Sequence, residues 1–82
     1  MQFSDEKITS LIIEKIKAIS FKKISSLQEE LIESGTLTSV SLVELAVSLE
    51  KEFLVSIPFL EINKQNFKTV EAIKNLIQKL IQ

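Results

Sequence analysis

Cysteine and histidine are both absent from this chain of 82 residues. That removes disulfides, thiol chemistry and the usual zinc ligands, together with the two side chains most used for nucleophilic and general-base work near neutral pH. Carboxylates remain, but their spacing marks no buried pair, and a chain this small has little room to enclose a substrate beside a full core. An enzyme in its own right is therefore poorly supported. Glycine and proline occur once each. Gly35 stands where the chain must reverse ahead of a helix, which predicts a positive φ, and Pro58 stands where that helix cannot continue. No apolar run exceeds three residues, as at Leu11 to Ile13 and Phe53 to Val55, so nothing here spans a membrane. The opening MQFSDEKITS has acids where a secretory signal has basic residues and then an apolar run. The cytosol is the expected compartment.

What is present is one small domain, residues 1–82, with charge that is uneven along its length. A net charge of -1 hides five lysines against three acids in residues 1–27, six glutamates against one lysine in residues 28–53, and four lysines against two glutamates thereafter. An acidic middle between basic ends argues against a nucleic-acid surface there and for a cationic protein partner.

Periodicity predicts an all-α fold. Helix one starts at a Ser4 cap, with Asp5 and Glu6 in its first turn and Ile8, Leu11, Ile12, Ile16 and Ile19 on one face. Residues 20–38 read as a long loop with one helical turn over the QEEL stretch capped by Ser26, pinned by Phe21, Ile24, Leu27, Leu31 and Leu37. Helix two runs from Ser39 or Ser41 to Phe53, with Leu42, Leu45, Ala46, Leu49 and Phe53 as its apolar stripe. Thr38, Ser39 and Ser41 put three hydroxyls where an N-cap belongs, and Ser41 with Glu44 has capping-box spacing. Val43 and Val47 lie beside glutamates, either at the margin of a wide core stripe or in a docking patch. Residues 54–68, where Pro58 breaks the helix, offer Ile57, Leu60, Ile62 and Phe67 as anchors around a short turn near Glu61 to Gln65. Thr69 then caps a last helix with Val70, Ile73, Leu76, Ile77, Leu80 and Ile81 apolar and Lys74 and Lys79 exposed. Three sizeable helices and one or two short ones result, with no alternating strand pattern.

The string from Ile32, IESGTLTSVSLVELAVSLEKEFLVSIP, followed after a short gap by KTVEAIKNLIQKL, resembles the free-standing acyl carrier proteins and the related carrier domains of peptide and polyketide synthesis. Val43-Glu44-Leu45, Glu52-Phe53, Ile57-Pro58 and Thr69-Val70 stand in the family's register, and with helix one the likeness covers essentially the whole chain. It implies a right-handed, carrier-like bundle with a long first loop. It also implies that Ser39, flanked by Thr38 and Val40, is the serine to which a phosphopantetheinyl transferase joins the 4'-phosphopantetheine arm of coenzyme A. The arm's thiol then holds an acyl or aminoacyl group as a thioester, in the manner of fatty acid, polyketide or nonribosomal peptide biosynthesis.

The same resemblance makes helix two an address, with Val43, Glu44, Val47 and Glu50 meeting basic patches on a loading ligase and on a downstream synthase or transferase, by salt-sensitive contacts. Three positions depart from the family pattern: Thr38 replaces the aspartate before the serine, Val40 replaces the leucine after it, and Lys51 stands where many carriers have another glutamate. Two functions stay open on these residues. One is a non-catalytic shuttle loaded at Ser39. The other is a carrier-like interaction module, never loaded, that docks to a synthase or ligase. A monomer is expected in both, since no leftover apolar stripe is broad enough to demand a dimer.

Overall fold

In a computed structural model that describes residues 3–81, the Ser4 hydroxyl accepts the Lys7 backbone N–H and opens α1, Asp5–Ser20. Four-residue spacing carries Ile8, Ile12 and Ile16 inward, and all three are buried. The helix ends on Phe21 in the left-handed region (φ 60°), whose N–H returns to the Lys17 carbonyl at 2.8 Å. Helix α2 spans Ser39–Phe53 and buries Leu45, Ala46, Leu49 and Phe53. A short 3₁₀ turn, Phe59–Glu61, and a single helical turn, α3, Lys64–Phe67, lead to α4, Val70–Ile81. Thr69 caps α4 as expected, its hydroxyl accepting the Ala72 N–H at 3.0 Å.

Helix α1 lies against both α2 and α4. Its start meets the end of α2, where the Phe3 and Phe53 rings stand edge to face at 4.9 Å. The Gln78 side-chain amide donates to the Asp5 carboxylate, so the end of α4 joins the same pole. The three apolar faces close one core, which Leu31, Leu37, Ile57 and Phe67 complete from the connections.

The long loop, residues 21–38, is held by its backbone as much as by its side chains. The Leu31 N–H donates to the Lys68 carbonyl at 2.7 Å and the Glu71 N–H to the Leu27 carbonyl at 3.2 Å, which ties the loop to the joint between α3 and α4. Leu31 and Leu37 are fully buried, and Gly35 takes φ +82°, as its place in the reversal predicts. An added Cβ at Gly35 would meet nothing within 4 Å, so backbone conformation is what calls for glycine here. The QEEL segment forms turns instead of a helix. The Glu29 carboxylate reaches back to the Ser25 N–H and hydroxyl, which draws that side chain into a local loop bond.

Two expected anchors do not anchor. Phe21 is 89% exposed and Leu60 82% exposed. The left-handed turn at Phe21 swings its ring off the helix face that carries Ile8, Ile12 and Ile16. The 3₁₀ turn after Pro58 leaves Phe59 and Leu60 in solvent while Ile57 and Phe67, on either side, go inward. Lys74 is half-buried and paired with Glu71 at 3.0 Å, where full exposure is the sequence expectation.

Candidate functional site

The start of α2 is built by Thr38. Its backbone is extended (φ -107°, ψ 176°), its hydroxyl accepts the Ser41 N–H at 3.2 Å, and its carbonyl accepts the Leu42 N–H at 2.9 Å. Thr38 is therefore the N-cap, and the Ser41 and Glu44 capping box is not formed. Ser41 lies inside the first turn, where its N–H is the group being capped. The buried Leu37 just before, after the Gly35 reversal, holds the chain so that Thr38 arrives in the extended conformation a cap requires.

Ser39 follows the cap as the first helical residue and is exposed. Helix geometry leaves the early N–H groups, those of Ser39 and Val40 among them, with no carbonyl inside the helix to receive them. The first turn contains no acidic residue, so nothing there opposes the positive end of the helix dipole. The Thr38 and Ser41 hydroxyl oxygens lie 2.9 Å apart and share one hydrogen bond. Of their two hydroxyl protons that bond uses one, and the other remains to be donated outward. Free amides, a spare hydroxyl proton and a favourable dipole make a donor set that suits a phosphodiester on the Ser39 oxygen. Threonine keeps the capping bond an aspartate would make and omits its charge.

Along α2 the candidate partner residues separate. Val43 and Val47, 50% and 44% exposed, stand off the core, as does Val40 at 71%. Glu44 and Lys51 are exposed beside them. Glu50 behaves differently: its carboxylate accepts the backbone N–H of Ile57 at 2.7 Å and so braces the turn after α2. Glu52 pairs with Lys15 of α1 at 3.0 Å. The spacing of the sequence places Glu50 on the outer face, and only the path of the chain past Leu54 brings Ile57 within its reach. The exposed Phe59 and Leu60 were also not legible as surface. The one available signal was their nearness to Pro58, which interrupts the periodicity that sorts inside from outside.

Among the described residues no group of three Asp or Glu side chains is placed to hold a metal ion, and no helix is long and apolar enough to cross a membrane.

Comparison with known proteins bears on the same segment. The family described as "Phosphopantetheine attachment site" matches residues 6–77. D-alanyl carrier proteins of Streptococcus pyogenes serotypes M5 (strain Manfredo), M49 (strain NZ131) and M1 are each 30% identical over 74 residues, covering 89% of this chain and 94% of theirs. Carriers of this kind are non-catalytic, receive their arm from a phosphopantetheinyl transferase, and meet loading ligases. With a match that runs from the first turn of α1 into α4 and a helix start suited to a phosphate ester, the chain belongs to the family of phosphopantetheine-binding carrier proteins.

Proposed function

We propose that Ser39 is the attachment point and that the chain shuttles an acyl or aminoacyl group between enzymes in the cytoplasm. The observation that carries this is an exposed serine as the first residue of α2, beside a neutral hydroxyl cap and free helix N–H groups. The 4'-phosphopantetheine arm supplies the thiol that holds the cargo as a thioester, which a chain without cysteine cannot supply itself. Ser39 provides the oxygen to which the arm is joined. The Ser39 and Val40 amides and the Thr38 and Ser41 hydroxyl pair stabilise the phosphate charge there, and Val40, Val43, Glu44 and Val47 on the outer face of α2 offer partners a landing beside it. The curated relatives, named as carriers of D-alanyl, favour an aminoacyl cargo and put D-alanine first among those to test.

Intact mass after co-expression with a broad-specificity phosphopantetheinyl transferase should rise by one phosphopantetheine, and Ser39→Ala should show no rise. A native chain that stays at its apo mass while the transferase loads a control carrier would overturn the proposal. One observation favours a second reading. Thr38 at the position of the family's usual aspartate removes a charge used in recognition by the transferase, which suits a carrier-like module that docks without being loaded, and the same mass measurement separates the two.

A further inference from the structure

We propose that the turn ending α1, where Phe21 stands among Lys17, Lys22 and Lys23, docks the chain reversibly on an anionic phospholipid surface. The ring enters the headgroup boundary, and the three ammonium groups stay above it against lipid phosphates. Nothing in this depends on Ser39 being loaded.

Phe21 is anomalous twice over. Its ring is 89% exposed, and its backbone takes φ 60°, a conformation that glycine or asparagine usually supplies at a helix end. A bulky residue is strained there, and an exposed ring returns nothing to the core. The fold itself therefore gives no reason for phenylalanine at this position. Its presentation is nonetheless fixed. Ile19 and Ile24 on either side pack against the core, the Phe21 N–H donates to the Lys17 carbonyl, and the Lys22 N–H donates to the Ser20 hydroxyl at 3.1 Å. A ring held out on a braced turn loses little freedom when it is covered.

Charge selects the occupant. From Lys15 to Gln28 the chain has four lysines and no acid. Lys15 is paired with Glu52, whereas Lys17, Lys22 and Lys23 are exposed and, among the described residues, form no ion pair. Two carboxylates border the patch. Glu14 is exposed on α1 about 10 Å along the axis from Phe21, and Glu29, held by the Ser25 N–H and hydroxyl, lies within the field of Lys22. Three ammonium groups against these two leave the corner cationic.

Every basic residue of the protein is lysine. Lysine is a point charge on a flexible stem, suited to a diffuse layer of phosphates, whereas base edges and phosphopeptides are more often gripped by the planar fork of arginine. A single ring also offers about 150–250 Å² at most, far below the area a specific protein interface buries. A lipid boundary requires neither fork nor area. One apolar side chain beside several cations suffices there for weak, reversible attachment.

Leu54 supplies an internal control. It shares the left-handed conformation (φ 55°) and the 89% exposure, but the charges just before it, Glu50, Lys51 and Glu52, are mostly acidic. It also ends α2 near the start of α1, away from Phe21. Were exposed apolar bulk alone the cause of adsorption, both residues would serve equally.

The test is sedimentation of the full chain, in its apo form, with vesicles at about 1 mM lipid in about 0.1 M salt. One set is phosphatidylcholine alone and the other equal parts phosphatidylcholine and phosphatidylglycerol. At about fivefold per lysine, partition onto the anionic vesicles should exceed that onto the neutral ones by roughly tenfold or more. Phe21→Asn should lower it about fivefold, K22Q/K23Q roughly tenfold, and Leu54→Asn less than about twofold. Phe21→Asn should keep its helical circular dichroism and hold or raise the urea midpoint, since asparagine suits the left-handed cap.

Equal binding to the two kinds of vesicle overturns the proposal, as does wild-type binding by Phe21→Asn or a loss in Leu54→Asn that matches it. Binding to polyglutamate or to a single-stranded oligonucleotide that needs Phe21, with no binding to vesicles, gives the corner to a soluble polyanion and overturns it too. Loading at Ser39 is read separately, by mass. A chain that is never loaded yet binds anionic vesicles through Phe21 supports this inference and removes the carrier reading alone.

Discussion

Replacing Glu50 by alanine should weaken the whole domain, although its sequence position suggests a surface residue. Its carboxylate accepts the Ile57 N–H at 2.7 Å, and Ile57 is only 5% exposed. Removing the acceptor leaves a largely buried donor unpaired, which costs about 1–3 kcal/mol. Glu50 itself is only half-buried, so water can take up part of the lost bond, which favours the lower half of that range. Alanine's better helix propensity returns a few tenths of a kcal/mol at most. The net loss expected is about 1–1.5 kcal/mol, a fall in Tm on the order of 4–10 °C for a domain of this length. Glu50→Gln keeps an oxygen in place to accept the same N–H and should lose under about 1 kcal/mol, since a neutral acceptor makes the weaker bond. Urea unfolding followed by far-UV circular dichroism gives the free energies, and amide exchange at Ile57 reports the bond itself. Wild-type stability in Glu50→Ala would refute the reasoning. A glutamine variant as weak as the alanine variant would show that charge, and not the accepting oxygen, is what the turn needs.

Leu54 ends α2 in the left-handed region (φ 55°) and is 89% exposed. Leu54→Gly should therefore stabilise by roughly 0.5–1 kcal/mol, the relieved backbone strain of about 1–2 kcal/mol less glycine's greater unfolded-state entropy, with a lowered urea midpoint as the contrary result. Thr38→Ala should lose about 1 kcal/mol by uncapping α2, whereas Thr38→Asp should hold wild-type stability in the same unfolding assay. Hydrogen bonds to Glu29, first from the Ser25 N–H and then from the Ser25 hydroxyl, hold its carboxyl below the ordinary glutamate value. Its folded-state pKa is thus depressed, so its contribution is present above the unfolded pKa and fades as pH falls through the folded one. A carboxyl NMR titration should find the Glu29 midpoint below the ordinary glutamate value, and a midpoint at or above that value would refute the assignment.

Local pattern determined a good deal of this protein. The three main helices, the Ser4 and Thr69 caps, the positive φ of Gly35 and the buried rows of α1, α2 and α4 all follow from side chains a few residues apart. A helix repeats every 3.6 residues, so neighbours in sequence settle which face is apolar. The hydroxyls at the start of α2 could be read in the same way, and they carry the candidate site. Which of them caps could not: Thr38, Ser39 and Ser41 are chemically alike, and the choice falls to the backbone that Gly35 and the buried Leu37 deliver.

Tertiary structure decided the rest, because it depends on partners far along the chain. Phe21 and Leu60 look like anchors by composition and face solvent because of the turns that carry them. Glu52 finds Lys15 on another helix, and Glu50 finds a backbone N–H beyond the helix end. An acidic helix in sequence thereby becomes, on its outward face, a row of valines beside one carboxylate and one ammonium. Periodicity says where a side chain points. Only the packed chain says what is there to meet it.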